Sequence, residues 1–315
     1  MKKLPLVFTV LALIVVPLQK VCAQYYFYDN LSYDTPLMFE LGTSVGVMNC
    51  LTDVGGHKGL GGKYFKDLNI GNNQVNGSIY INATYKEAIG IRIEGTFGNV
   101  KAYDSILKNV KNTTNGRYER NLSFKSKITE ISAIAEFYPV FLFINWLARD
   151  DYPPRLSPYL MAGIGYFSFN PQTTLNGKTV DLHPLRTEGQ GFAEYPDRKP
   201  YKLQQINFPV GVGLKYDVSP MLNLRAEFLY RILGTDYLDD LSTKYVDPAI
   251  FANYLKGTEL NDAIVLSDRR SRLDPKYPVN PNGGQIRGNP KNNDAYFSFN
   301  IKVGFTFGRE KIKKH

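Results

Sequence analysis

The last stretch of the chain, Ala295 to Phe307, most narrows what it can fold into. Ala295, Phe297, Phe299, Ile301, Val303, Phe305 and Phe307 alternate with Tyr296, Ser298, Asn300, Lys302, Gly304 and Thr306. Successive side chains of an extended strand point to opposite faces, so a period of two predicts a strand with one apolar and one polar face. Gln205 to Tyr216 and Leu222 to Ile232 repeat the pattern, and Phe39 to Met48, Ser78 to Tyr85, Gly90 to Val100, Phe124 to Tyr138 and Tyr159 to Phe169 carry it more weakly. Eight strands are expected. Many reach the roughly 9 to 11 residues that cross a bilayer at a tilt. Among the 22 Tyr and 19 Phe, Tyr85, Tyr138, Tyr216, Tyr230 and Phe307 stand near strand ends, where interfacial aromatic girdles form.

Connection lengths test this independently, because a membrane barrel alternates tight periplasmic turns with long outer loops. Cys50 to Gly77, Lys101 to Ser123, Asn170 to Gln204 and Leu233 to Asp294 are long, whereas Lys86 to Ile89 and Asp217 to Met221 are tight. That parity puts both termini in the periplasm. The longest loop has room for some helix of its own. Pro139 to Ser157 breaks the parity: it is a long periplasmic connection holding Phe141, Phe143 and the only Trp, Trp146, and is expected to lie on the inner leaflet or to form a partner surface. The fold class expected is all-β, an eight-stranded antiparallel transmembrane β-barrel resembling those of OmpA and OmpX, with long extracellular loops.

Export is written at the N-terminus. Met1-Lys2-Lys3, an apolar run from Leu4 to Leu18, and Val21-Cys22-Ala23 before Gln24 read as a signal peptide over residues 1–23, cut after Ala23, with the barrel domain over 24–315 in the outer membrane. The apolar run is short of a spanning helix. Lipidation at Cys22 is disfavoured by Gln19, Lys20 and Val21, which supply no small residue just before it. Cleavage lowers the formal charge from +9 to +6, spread in short groups, so no nucleic-acid partner is expected. The basic tail Arg309 to His315 would sit in the periplasm. Cys50 is the only cysteine left, which permits an intermolecular disulfide or a tolerated buried thiol.

With apolar faces toward lipid, the inward set contains Glu40, Arg92, Glu94, Glu130, Glu136, Lys215, Arg225, Glu227, Arg231 and Lys302. Eight strands leave an interior just wide enough for side chains. Isolated buried charges cost several kcal/mol, so these are expected to pair into a plug and not a pore. Gly42, Ser44, Gly46, Gly163, Gly165, Gly211 and Gly213 would make room for the long charged side chains.

Catalytic chemistry has little to build on. His57 and His183 sit in outer loops without a fixed spacing to a nucleophile, and His315 ends the chain, so no enzyme activity and no small-molecule substrate are expected. Asp236, Asp239 and Asp240 could offer oxygen ligands to a cation, but the spacing of a calcium loop is missing. The run reads instead as Thr235 or Asp236 capping a short helical turn. Gly55 to Gly62 lacks a P-loop's lysine and serine and is expected to be a plain loop. No metal or cofactor is expected.

Four runs resemble a known family: Phe39-Glu40-Leu41-Gly42 with Asp53-Val54-Gly55-Gly56; Pro184 to Gly191; Pro209 to Tyr216; and Thr235 to Tyr245, with Thr187 to Gly191 and Thr235 to Asp240 the most specific parts. Together they look like the PorG-type outer-membrane barrels of the type IX secretion system. The resemblance implies a non-enzymatic accessory associated with a periplasmic ring of PorK- and PorN-like proteins, embedded in outer-membrane lipid. A general structural or adhesive OmpA/OmpX-like barrel, acting through its extracellular loops, is the alternative.

Overall fold

The computed structural model describes residues 32–55, 70–113, 116–144, 154–276 and 283–311. The expected signal segment, His57, Trp146 and His315 lie outside the described residues. Eight long strands form the wall: β1 (Ser32–Leu51), β2 (Gln74–Tyr85), β3 (Ile89–Tyr103), β4 (Ser123–Phe137), β5 (Leu156–Ser168), β8 (Gln204–Ser219), β9 (Leu222–Leu233) and β10 (Ala295–Lys311). Each pairs antiparallel with its neighbours, β1 with β10 joins the chain ends, and β3 with β4 completes the ring. The fold is a closed eight-stranded antiparallel β-barrel. Closure leaves no edge among these strands, which is what a sheet in lipid requires.

Both tight turns lie at the end of the barrel that also holds the chain termini. Lys86 and Glu87 turn β2 into β3 at φ 50° and 56°, and the Lys86 amide reaches the Pro36 carbonyl at 2.7 Å. Between β8 and β9 the Ser219 hydroxyl accepts from the Leu222 amide at 3.1 Å. Ser32 lies opposite Lys311 at this same end.

Two further strands were not expected. β6 (Pro171–Leu175) and β7 (Lys178–Asp181) form a hairpin that extends the top of β4 above the ring. Asn176 and Gly177 form its turn at φ 51° and 79°, the left-handed pair that a two-residue hairpin needs. The longest loop does hold helix: a 3-10 turn over Pro248–Asn253, then α3 (Gly257–Ser267) and α4 (Arg270–Leu273). Shorter helices are α1 (Arg117–Arg120) in the second loop and α2 (Pro139–Phe143) at the periplasmic rim.

The two faces of the wall differ as the alternation demands. Leu37, Phe39, Leu41, Val45 and Val47 on β1, Leu156, Leu160, Ile164 and Tyr166 on β5, and Ile206 through Tyr216 on β8 leave their outward side chains exposed. Comparable runs on the other wall strands complete an apolar belt, which only hydrocarbon can cover. Tyr85, Tyr216 and Phe307 lie on this outer surface. Tyr138 does not; it is buried inside the barrel, and its hydroxyl binds Glu136, so it serves the interior and not a girdle.

The belt sets a cost for charge. Val45→Arg, in the middle of the belt, should destabilise the barrel by roughly 2–4 kcal/mol in denaturant unfolding from lipid vesicles. Thr174→Arg on the cap hairpin should leave the midpoint in place.

Candidate functional site

The lumen is filled in tiers. Nearest the periplasm, Lys215 pairs with Asp217 at 3.5 Å, a partner absent from the expected set. Above it Arg225 holds Glu40 at 2.5 Å and Glu136 at 3.0 Å. In the centre Arg92 reaches Glu94 at 3.0 Å, Glu136 at 2.8 Å and Glu227 at 2.6 Å, while Lys302 reaches Glu94 at 2.5 Å and Glu227 at 3.2 Å. Higher still Arg231 meets Glu130 at 3.2 Å. All ten charged side chains singled out from the sequence are buried in this column. Each cation has a carboxylate within ion-pair distance, which is the condition for charge to survive in a low-dielectric interior.

The inward glycines expected to make room for the charged side chains lie mostly under other groups, although a Cβ on Gly165 would also lie 3.3 Å from Glu130, and Gly304, outside the expected set, lies under Glu40. A Cβ on Gly42 would lie 2.4 Å from the Tyr80 ring, and one on Gly213 would lie 2.4 Å from the Tyr159 ring. These rings cross the lumen so that the Tyr80 hydroxyl donates to Glu40 at 2.6 Å and the Tyr159 hydroxyl to Glu227 at 2.5 Å. Tyrosine thus adds neutral donors to carboxylates that arginine already neutralises, Glu40 through Arg225 and Glu227 through Arg92. Gly46 and Gly165 lie under Asn300 and Asn207 in the same way.

Above the Arg231 tier the interior turns apolar. Met48, Val100, Ile128, Phe167 and Tyr296 belong to one cluster with Phe169, Leu182, Leu185, Phe192, Leu238, Leu241, Phe251 and Leu266 from the outer loops. The loops therefore form a cap whose core continues into the barrel mouth. Cys50, 5% exposed, lies in this core, with its thiol 3.7 Å from the Lys101 carbonyl, so the structure places it as a buried thiol and offers no surface to an intermolecular bridge.

Buried charges pin the cap loops to one another. Asp104 accepts from Arg120 at 3.0 Å and from the Gly55 and Leu122 amides, and Arg120 also donates to the carbonyls of Asp53 and Arg287. Glu188 accepts from Arg287 at 2.9 Å and from the Ser242 and Thr243 amides. Thr187 donates to Asp240 at 2.6 Å. Asp104, Arg120, Glu188 and Arg287 were missed in the sequence, where single charges in long loops carry no periodic signal.

Asp236, Asp239 and Asp240 do not converge on a cation site; among the described residues no group of His, Cys, Asp and Glu could hold a metal ion. Asp240 serves Tyr201 and Thr187, and Asp239 accepts from the Val54 and Leu241 amides. The expected helical turn is also absent: the Thr235 hydroxyl accepts from the Tyr237 amide at 3.2 Å in a non-helical turn, and the carboxylate of Asp236 is buried with Ser242 the nearest side-chain donor among the described residues. Burial, with Asp239 and Asp53 nearby, pushes the Asp236 carboxyl up to about 9. Burial likewise raises Asp240 to about 6, against the pull of Arg287.

His183 stacks edge-on against Tyr201 at 4.7 Å and its Nε2 meets the Tyr201 carbonyl at 2.9 Å. It borders a cleft of about 410 Å³ with Arg186, Tyr201, Tyr254 and Glu259, and among the described residues its ring nitrogen bonds the Tyr201 carbonyl and not a serine, threonine or cysteine. At the other end of the molecule, Phe141 packs against the interior cluster of Ile134, Tyr138, Tyr159, Met161 and Leu229, while Phe143 is 85% exposed.

No protein-family model and no curated relative matches the chain. Among solved structures it is similar to Ail, the attachment invasion locus protein of Yersinia pestis, solved with a heparin analogue, at 9% identity and TM-score 0.38 over 87% of this chain and 100% of that one. It is also similar to a major outer membrane protein of Thermus thermophilus, at 13% identity and TM-score 0.39 over 87% and 100%. Neisserial surface protein A shares 12% identity at TM-score 0.34 over 87% and 99%. Likenesses this distant carry no functional argument.

Two outcomes follow from these contacts. Arg92→Met leaves Glu94, Glu136 and Glu227 with only Lys302 and Arg225 to neutralise them and should cost about 3–5 kcal/mol in denaturant unfolding from micelles, part of it regained by adding Glu227→Gln. In the cap, Asp236 and Asp240 bind protons more tightly folded than unfolded, so their contribution is complete below pH 3.8 and is lost as pH rises through about 6 for Asp240 and about 9 for Asp236. Proteolysis of the cap should therefore be faster at pH 9 than at pH 5, and Asp236→Asn should flatten that dependence between pH 6 and 9.

Proposed function

We propose that this protein is a non-enzymatic anchor of the outer membrane, presenting fixed surfaces at its two ends. The observation that carries the reading is the filled lumen: tiers of ion pairs roofed by an apolar cap core leave side chains where a channel would need water. A barrel of this kind acts through what it displays.

The finer reading is a subunit of the type IX protein secretion system that docks a periplasmic ring of PorK- and PorN-like proteins. What supports it is the family resemblance together with the periplasmic rim. There the short helix α2 is seated through Phe141 and turns Phe143 outward. Phe141 and Phe143, with Trp146, are the residues assigned to that contact.

A second reading, a structural or adhesive barrel working through its loops, is favoured by one observation. The two parts most specific to the resemblance, Thr187 to Gly191 and Thr235 to Asp240, meet in the cap, where Thr187 donates to Asp240 and Glu188 accepts from Ser242 and Thr243 just beyond. They build the outer end and not the periplasmic one.

Affinity purification from mild detergent after cross-linking separates the two. Docking predicts that ring components co-purify with the wild-type barrel and are lost on Phe143→Ser. Recovery of the barrel alone would sink docking. Ring recovery that survives Phe143→Ser would move the contact off this helix.

A further inference from the structure

The apolar belt does not reach the same height all round. On β3 its outward residues stop at Phe97 and on β4 at Ile131. Directly above, the outward positions are Asn99 and Lys101 on β3 and Thr129, Lys127 and Lys125 on β4. In the register Phe97 faces Thr129, Asn99 faces Lys127, and Lys101 faces Lys125. The intervening Val100, Ala102, Ser126 and Ile128 are fully inward and buried, so the three lysines stand on the outer wall.

Two lysines opposite each other on one face of a β pair repel, and such pairs are destabilising. The cations inside the barrel each have a carboxylate, yet no described carboxylate forms an ion pair with Lys101, Lys125 or Lys127 on the outside. Asp181 lies across Gln172 from Lys125, but its Oδ1 is taken by the Gln172 and Asn170 amides at 2.6 and 3.1 Å. The three lysines therefore form an unneutralised patch one step above the hydrocarbon. That is the level at which lipid headgroups present phosphate, and where ammonium groups on a membrane protein are drawn to anionic lipid.

We propose that Lys101, Lys125 and Lys127 on the outer wall of β3 and β4 form a binding site for the phosphate group of a lipid headgroup in the outer leaflet. A phosphate seated between Lys101 and Lys125 converts their repulsion into two attractions, and Lys127 closes the site from below. Asn99 and Thr129 add polar side chains at the same level. The site fixes the height and rotation of the barrel in the leaflet, independently of any periplasmic partner.

The sign of one substitution tests this. In phosphatidylcholine vesicles the headgroup phosphate is already neutralised by its own choline, so Lys125→Gln mainly relieves repulsion and its unfolding midpoint should equal or exceed that of the wild type. In vesicles that also contain phosphatidic acid, the wild type should gain stability and the variant should fall below it. The same sign in both lipids overturns the proposal. Lys101→Gln/Lys125→Gln/Lys127→Gln should also retain roughly tenfold less phosphatidic acid in native mass spectrometry. Equal retention overturns the site, and equal stabilisation of the wild type by inorganic phosphate overturns its assignment to lipid. Should the triple variant fail to fold, the Lys125→Gln comparison decides alone.

Discussion

The grip of Arg92 on Glu94, Glu136 and Glu227, shared with Lys302, is the interaction on which this barrel depends. Lipid outside forces apolar side chains outward, and the period of two then forces polar ones inward. Eight strands give those polar groups no room for bulk water. They must satisfy one another. Arg92 and Glu94 come from β3, Glu136 from β4, Glu227 from β9 and Lys302 from β10, so the same bonds that neutralise the lumen tie opposite walls together. Tyr80 and Tyr159 complete the set by donating to the carboxylates from strands that carry no cation there.

Closing the lumen moves the functional surfaces to the ends. The outer end is an ordered cap because its loops bury both an apolar core and charged bonds between loops. Arg120 links the second loop to the first and fourth, and Arg287 links the fourth to the third. Cutting one such bond strands a buried charge, so the cap behaves as one body. The periplasmic end contributes one seated helix and a bare phenylalanine. The wall adds the lysines of β3 and β4, which sit where the environment changes from hydrocarbon to headgroup.

Much of this was legible in residue order. Alternation located all eight wall strands and the faces of the ten interior charges. The hairpin at Asn176-Gly177 had its signal too, the two-residue turn that favours left-handed backbone, but it lies inside a stretch that connection length alone marks as loop. Tyr138 was misplaced because nearness to a strand end says nothing about face; its parity, matching Glu136, puts it inside. The role of the inward glycines was half legible: they mark space, yet only the cross-lumen packing names Tyr80 and Tyr159 as its occupants. The expected helical turn after Thr235 does not form, because Asp239 and Asp240 are drawn to the first and third loops and those distant partners leave no mark in local spacing.

By itself the sequence determined the closed barrel, its polarity inside out, and the end at which the long loops stand, because period and connection length are local properties that lipid and geometry convert directly into a fold. Only the tertiary structure decided which charge meets which, that the loops condense into a cap with Cys50 at its core, and that Lys101 lies opposite Lys125. Those facts depend on register between strands and on contacts between loops far apart in the chain, and no local pattern encodes which distant residues closure brings together.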